Sequence, residues 1–265
     1  MSRIKNIVEQ GKQDLGINHH QYGTAPLANN TDGHKSGKLV LNYTDTARVE
    51  VSEQELVDNR IIAQNHLDPR AKRFQLLRTK VLQKMRKKDW NTIAITAPTK
   101  GAGKSLLAVN LAVSIATEGN QSVLLVDMNL GSPSIHKFFS IEPEFGIHDY
   151  LDGSANISDM LVNPGVERLV VLPGRRNIVN SSEQISSPLV KDLVQELKNR
   201  YESRIVIFDL PSILGSDEVM VFLPYVDCSL LVVEAGRSTP EEVEESLEII
   251  GTNPLLGAVL NRSTS

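Results

Sequence analysis

The sequence predicts an α/β domain: a mostly parallel sheet flanked by helices on both faces. Apolar runs rich in branched side chains recur without polar alternation, the pattern of strands covered on both sides. Helix patterns with their own start signals lie between those runs, and such alternation builds parallel sheets sandwiched by helices. At one strand-to-helix junction a glycine turn carries a lysine and a serine, which places a ligand site at the carboxyl ends of the strands.

Taken in order, residues 1–66 are expected to form a flexible N-terminal extension and residues 67–265 the folded domain. Residues 1–37 are polar and loop-prone, with Gly11, Gly16, Gly23, Pro26, Asn29-Asn30 and Asp32-Gly33, and offer little to bury. His19, His20 and His34 lie there without other ligand types at metal-site spacing, so they are given no role. Leu39-Val40-Leu41 reads as a short strand, and residues 53–57 as a short helix. At Asp68-Pro69 an acid at the cap and a proline at the first helical position start a longer helix. Phe74, Leu77, Val81 and Met85 share the face on which it docks. Its other side carries Arg70, Lys72, Arg73, Arg78, Lys80, Lys84, Arg86, Lys87 and Lys88, either a solvated face or a surface for an acidic partner, a sister subunit or an anionic membrane.

Residues 92–96 form the next strand, and residues 106–113 the helix after it. Between them runs Ala97-Pro98-Thr99-Lys100-Gly101-Ala102-Gly103-Lys104-Ser105. Backbone N–H groups freed by Gly101, Ala102 and Gly103 can wrap a phosphate at a helix N-terminus, where the helix dipole also favours anions. Lys104 then reaches β/γ oxygens and the Ser105 hydroxyl holds Mg²⁺. Pro98 stands where the phosphate-loop pattern usually has its first glycine.

Further strands are expected at residues 122–127, 169–172, 205–209, 230–233 and 258–260. Ser187-Pro188 opens a helix from Leu189 to Tyr201, and Thr239-Pro240-Glu241-Glu242 opens another over residues 243–250. Two strands end in acid, Asp127 and Asp209. At the carboxyl edge of the sheet these carboxylates face the phosphate loop, where one of them with Ser105 suffices for Mg²⁺ and the other is free for different work.

Composition narrows the function classes. A net charge of −4 over 265 residues argues against a surface built for nucleic acid. The single cysteine, Cys228, makes no internal disulfide or cysteine metal site and is expected inside a strand. No apolar run is long enough to cross a bilayer and the opening stretch lacks a signal core, so a cytoplasmic location is expected, with any membrane link made through a partner.

From Phe74 to Asn261 the chain resembles the bacterial tyrosine kinases, P-loop autokinases encoded with capsule and exopolysaccharide export systems, especially the branch of exosortase-linked loci, and related to the MinD/ParA ATPases. Lys100-Gly101-Ala102-Gly103-Lys104-Ser105 matches the family's first motif. Val123-Leu124-Leu125-Val126-Asp127-Met128-Asn129 matches the second, and Ile207-Phe208-Asp209-Leu210-Pro211-Ser212 the third. Likenesses continue at Gly146-Ile147-His148-Asp149-Tyr150-Leu151, Leu172-Pro173-Gly174-Arg175-Arg176, Val232-Val233-Glu234-Ala235-Gly236-Arg237 and Leu256-Gly257-Ala258-Val259-Leu260-Asn261.

The resemblance implies phosphoryl transfer from ATP to tyrosine. Thr99, Lys100, Gly101, Ala102, Gly103, Lys104, Ser105 and Leu106 would hold the nucleotide, with Asn261 and Arg262, just past the last strand, at the adenine. Lys104, Asp127 and Asp209 would be catalytic, and Ser105, Asp127 and Asp209 would serve Mg²⁺. Asn261 reads equally as a strand-end cap. Arg175 and Arg176 read as phosphate contacts, as contacts to a neighbouring subunit, or as solvated loop residues. The implied partner is a membrane-embedded chain-length regulator through its cytosolic segment, with a homo-oligomer also implied. Against the family pattern, Asn129 replaces an acid, Gly131 an arginine and Ser212 a proline; the last tyrosine is Tyr225; and Lys72, Gln75 and Arg78 stand where the oligomerisation helix carries Glu-x-x-Arg-x-x-Arg. These departures keep open a nucleotide switch that hydrolyses ATP without phosphorylating protein. A MinD/ParA-type positioning ATPase is a third reading, although its signature lysine falls where this chain has Thr99.

Overall fold

The computed structural model describes residues 46–65, 68–119, 121–200 and 203–263. The polar arm at residues 1–37, its histidines and the strand expected at Leu39-Val40-Leu41 lie outside them.

The described chain runs β1 (Ala47–Arg48), α1 (Glu53–Asp58), α2 (Ala71–Lys88), β2 (Thr92–Ala97), α3 (Lys104–Ala116), β3 (Ser122–Asp127), α4 (Ile135–Phe138), α5 (Ile147–Leu151), α6 (Ile157–Met160), β4 (Val162–Asn163), β5 (Leu169–Leu172), α7 (Ser181–Ile185), α8 (Pro188–Asn199), β6 (Arg204–Ser212), α9 (Glu218–Phe222), β7 (Cys228–Glu234), α10 (Pro240–Ile250) and β8 (Leu255–Asn261). The strands form one sheet in the order β1-β4-β5-β3-β6-β2-β7-β8. All neighbours pair in parallel except β4 with β5. The chain passes from β2 outward to β3 and β5, returns to fill the gap with β6, then crosses to β7. That reversal of direction opens a crevice at the carboxyl ends of β2, β3 and β6.

Alternate residues of each central strand serve two cores, which explains the uninterrupted apolar runs. Ile93, Ile95, Val123, Leu125, Ile205 and Ile207 face the core that holds Val81 and Met85 of α2 and Leu107 and Leu111 of α3. Ala94, Leu124, Val126, Val206 and Phe208 face the other, with Leu193 and Leu197 of α8 and Phe222 of α9. Cys228 is buried in β7, and burial pushes its thiol up to about 12. Among the described residues no helix is long and apolar enough to cross a membrane.

The expected boundary at residue 66 is corrected. Residues 46–63 are built into the domain: β1 pairs with β4, Ser52 and Glu55 form a capping box on α1, and Leu56, Ile61 and Ala63 are buried in the α2–α3 core. Asn110 on α3 holds this strap, its Oδ1 accepting from the Ile62 and Ala63 N–H groups at 2.9 and 3.1 Å. Its apolar residues, Val49, Val51, Leu56, Ile61 and Ile62 among them, are broken up by charged and amide side chains, and a polar residue about fifty positions away secures it.

Smaller differences concern helix and strand ends. Helix α2 begins at Ala71, two residues after the expected proline, because Asp68 closes a turn of its own, accepting from the Arg70 N–H at 2.8 Å and the Ala71 N–H at 3.0 Å. Not all of its cationic side is solvated: Arg78 binds the Ser114 carbonyl and Glu118, and Lys84 donates to the Leu256 carbonyl at 2.6 Å. Helix α8 is described to Asn199, and Tyr201 lies outside the described residues.

Candidate nucleotide-binding site

Strand β2 delivers the loop. Thr96 Oγ1 donates to the Pro211 carbonyl at 2.7 Å, and the register with β6 shifts between Ile95 and Ala97, bending the two strand ends at the crevice. Gly101 and Gly103 sit at φ +90° and +87°, backbone that glycine adopts without strain. Gly103 is also the N-cap of α3, so Lys104 and Ser105 open the helix where its unpaired N–H groups and dipole attract anions.

Behind the loop, Asp127, the last residue of β3, is the cross-strand neighbour of Asp209, which lies inside β6 because that strand runs on to Ser212 and does not end at the acid as expected; both are fully buried. Asp127 Oδ2 accepts from the Ser134 and Ile135 N–H groups, each at 2.8 Å, while Oδ1 has no hydrogen-bond partner. Burial first, then the nearby Asp209 charge, pushes the Asp127 carboxyl up to about 7 against the pull of those N–H groups. Both Asp209 oxygens lack a hydrogen bond, and burial raises this carboxyl too, with the Lys104 ammonium and the Ser105 hydroxyl working against it. Lys104 Nζ stands 4.0 Å from Asp209 Oδ1 and 3.4 Å from Ser105 Oγ.

Buried carboxylate oxygens without hydrogen-bond donors, beside a hydroxyl at a phosphate-type loop, suit a hard divalent cation. The donor set therefore fits Mg²⁺, which takes oxygen ligands and completes its shell with water and phosphate. Gly174 closes the far side: a Cβ there would collide with Pro133 and lie 3.6 Å from Asp127 Cγ.

The structure sets Lys104 beside Ser105 and Asp209, and Asp127 opposite Asp209 across the strand pair. Thr99 is half-buried and Lys100 exposed on the loop, Ala102 is buried and Leu106 follows in the first turn of α3. Asn261 is placed differently from the expectation, inside β8 as its last residue, because the Ala235 N–H donates to its carbonyl and continues the ladder. Its side-chain amide donates to the Ala102 carbonyl at 2.8 Å. Arg262 follows at φ +57° and pairs with buried Glu234 at 2.6 Å, a carboxylate shared with Arg237 at 3.5 Å. Arg175 and Arg176 are taken up by α5 and its end, pairing with Asp149 at 3.3 Å and Asp152 at 3.5 Å.

Over the loop lies a cleft of about 530 Å³ that sequence reading did not outline. Besides the loop and Arg262 it is walled by Asn59 and Arg60 of the strap and by Ser134 and Lys137 beside Asp127. Glu234 was visible as part of a family-like stretch, without a role; nothing in the sequence pointed to Arg60.

Fold and loop together define the class, a P-loop nucleotide-binding protein. Residues 90–250 match the AAA domain family. Tyrosine-protein kinase YwqD of Bacillus subtilis (strain 168) is 30% identical over 193 residues, covering 72% of this chain and 80% of that protein. Among solved structures, the kinase domain of Escherichia coli tyrosine kinase ETK superposes with a TM-score of 0.70 at 26% identity, covering 83% of this chain and 91% of that one. The cell division ATPase MinD of Pyrococcus furiosus superposes with a TM-score of 0.55 at 25% identity, covering 66% and 74%. This chain belongs to the bacterial tyrosine-protein kinase family.

Proposed function

We propose that this chain binds Mg²⁺ and ATP in the cleft and transfers the γ-phosphoryl group to a protein tyrosine. It acts in the cytoplasm, in exopolysaccharide or capsule assembly, with the cytosolic segment of a membrane-embedded chain-length regulator as partner. The convergence of Lys104, Ser105, Asp127 and Asp209 carries this reading.

Each residue has a distinct task. Loop N–H groups and the α3 dipole hold the phosphates, and Lys104 offsets charge on the transferring group. Bound Mg²⁺ would spread the phosphate charge, with Ser105 and Asp209 as its protein oxygens and Asp127 reached directly or through water. A tyrosine hydroxyl has a reference pKa near 10 and needs help to ionise at neutral pH. Asp127, raised to about 7 with Oδ1 free of hydrogen bonds, is suited to take that proton while the tyrosine oxygen bonds to phosphorus and the bond to ADP breaks.

Phosphotyrosine mass spectrometry on the full chain with Mg·ATP, with and without the regulator's cytosolic segment, tests this against Lys104→Ala. Lys104-dependent phosphotyrosine supports the kinase. ATP hydrolysis without phosphotyrosine makes the chain a nucleotide switch. The Asn129 side chain favours that second reading: where relatives carry a second acid, its amide donates to the Ser132 carbonyl at 2.9 Å.

A further inference from the structure

The loop forms one side of the cleft, and the strap ahead of α2 forms part of the other. Arg60 stands there, exposed, at the turn after α1. Its backbone is in the left-handed region at φ +63°, where glycine is at ease and arginine is not. The conformation is fixed from both sides. The Arg60 N–H donates to the Val57 carbonyl at 2.8 Å, the Arg60 carbonyl accepts from Asn110 Nδ2 at 3.1 Å, and the next residue, Ile61, is fully buried. Asn110 belongs to α3, the helix that the phosphate loop opens. One helix thus fixes both the loop and the strap that carries Arg60.

Charge in the cleft singles Arg60 out. Four of its lining residues are cationic, and Asp58 is the one acid. Lys104 already faces Asp209, and Arg262 is held by Glu234. Arg60 and Lys137 make no ion pair among the described residues. Lys137 is carried on a short helix beside Asp127, whereas Arg60 is held in strained backbone, a kind of conformation that persists where the surroundings over-determine it and that gathers at ligand clamps.

We infer that Arg60 is a phosphate-binding residue of the nucleotide site, presented from outside the P-loop core by the Asn110-anchored strap. The inference rests on the nucleotide reading above. A guanidinium here faces polyphosphate with several N–H donors and no competing carboxylate partner, the arrangement in which charge-assisted hydrogen bonds are strongest.

Arg60→Gly is the discriminating variant because glycine keeps the left-handed backbone and removes only the side chain. Binding of a methylanthraniloyl-labelled ATP with Mg²⁺ is measured by fluorescence on the full chain, together with thermal melting. Arg60→Gly should melt at or above the wild-type temperature and bind the labelled ATP on the order of tenfold more weakly. Arg60→Lys should recover part of that loss. Asn110→Ala, which keeps Arg60 but frees the strap, should also weaken binding. Wild-type affinity in a well-folded Arg60→Gly protein would overturn the inference while leaving the nucleotide reading intact. No binding by the wild type would overturn both.

Discussion

The side-chain amide of Asn261, at the end of β8, donates to the Ala102 carbonyl at 2.8 Å, so the last strand of the sheet pins the middle of the phosphate loop. The contact explains the glycine at 103: a Cβ there would collide with the Asn261 amide, and the residue sits at φ +87°, where any other side chain is strained. Asn261→Ala should leave the loop less ordered and weaken nucleotide binding several-fold, about the worth of one neutral hydrogen bond. Gly103→Ala should do more, lowering both melting temperature and affinity. Calorimetric titration with ATP, beside a thermal melt, checks both.

Lys104→Ala removes the only ammonium near Asp209 among the described residues. Turnover should fall on the order of 10²-fold or more, since contacts to developing charge are worth that much in a water-poor site. Single-turnover phosphate release measures it. Wild-type turnover in the variant would remove the site assignment.

Asp227 lies away from the site, at the amino end of β7, and ties three elements together. It accepts from the Asn91 and Thr92 N–H groups at 3.0 Å, from the Thr92 hydroxyl at 2.8 Å and from the Lys198 ammonium of α8. Burial would raise its carboxyl, but Lys198 and these donors outweigh burial and hold it below its ordinary 3.8. The unfolded chain therefore binds the proton more readily, and the stabilisation is complete above 3.8 and lost as pH falls through the lower folded value. Asp227→Asn should cost about 1.5–3 kcal/mol at neutral pH. In urea titrations that deficit should shrink below pH 3.8 as the wild-type carboxylate protonates.

Ile61 is fully buried between the strap and α2–α3. Ile61→Ala should therefore cost about 2–5 kcal/mol, read from the denaturation midpoint. A residue on a flexible arm would show no change.

Much of the site was legible because its chemistry is local. The phosphate loop needs glycines at fixed offsets between a strand and a helix, and Asp127 and Asp209 close apolar runs that read as buried strands, so spacing pointed to Lys104, Ser105 and both acids as candidates. The family followed from the same short segments. Other features depended on contacts that no local pattern records. Asn261 became a loop anchor because β7 and β8 pair one residue further than the apolar run suggested. Residues 46–63 are held in the domain because Asn110 Oδ1 accepts from the Ile62 and Ala63 N–H groups, and Arg175 and Arg176 pair with Asp149 and Asp152 and do not line the cleft. By itself the sequence determined the six longer strands, the loop and the two acids, all set by backbone geometry and burial over a few residues, but not the short strands β1 and β4. Tertiary structure alone decided which distant side chains close the site, since long-range packing and hydrogen bonds leave no period in the chain.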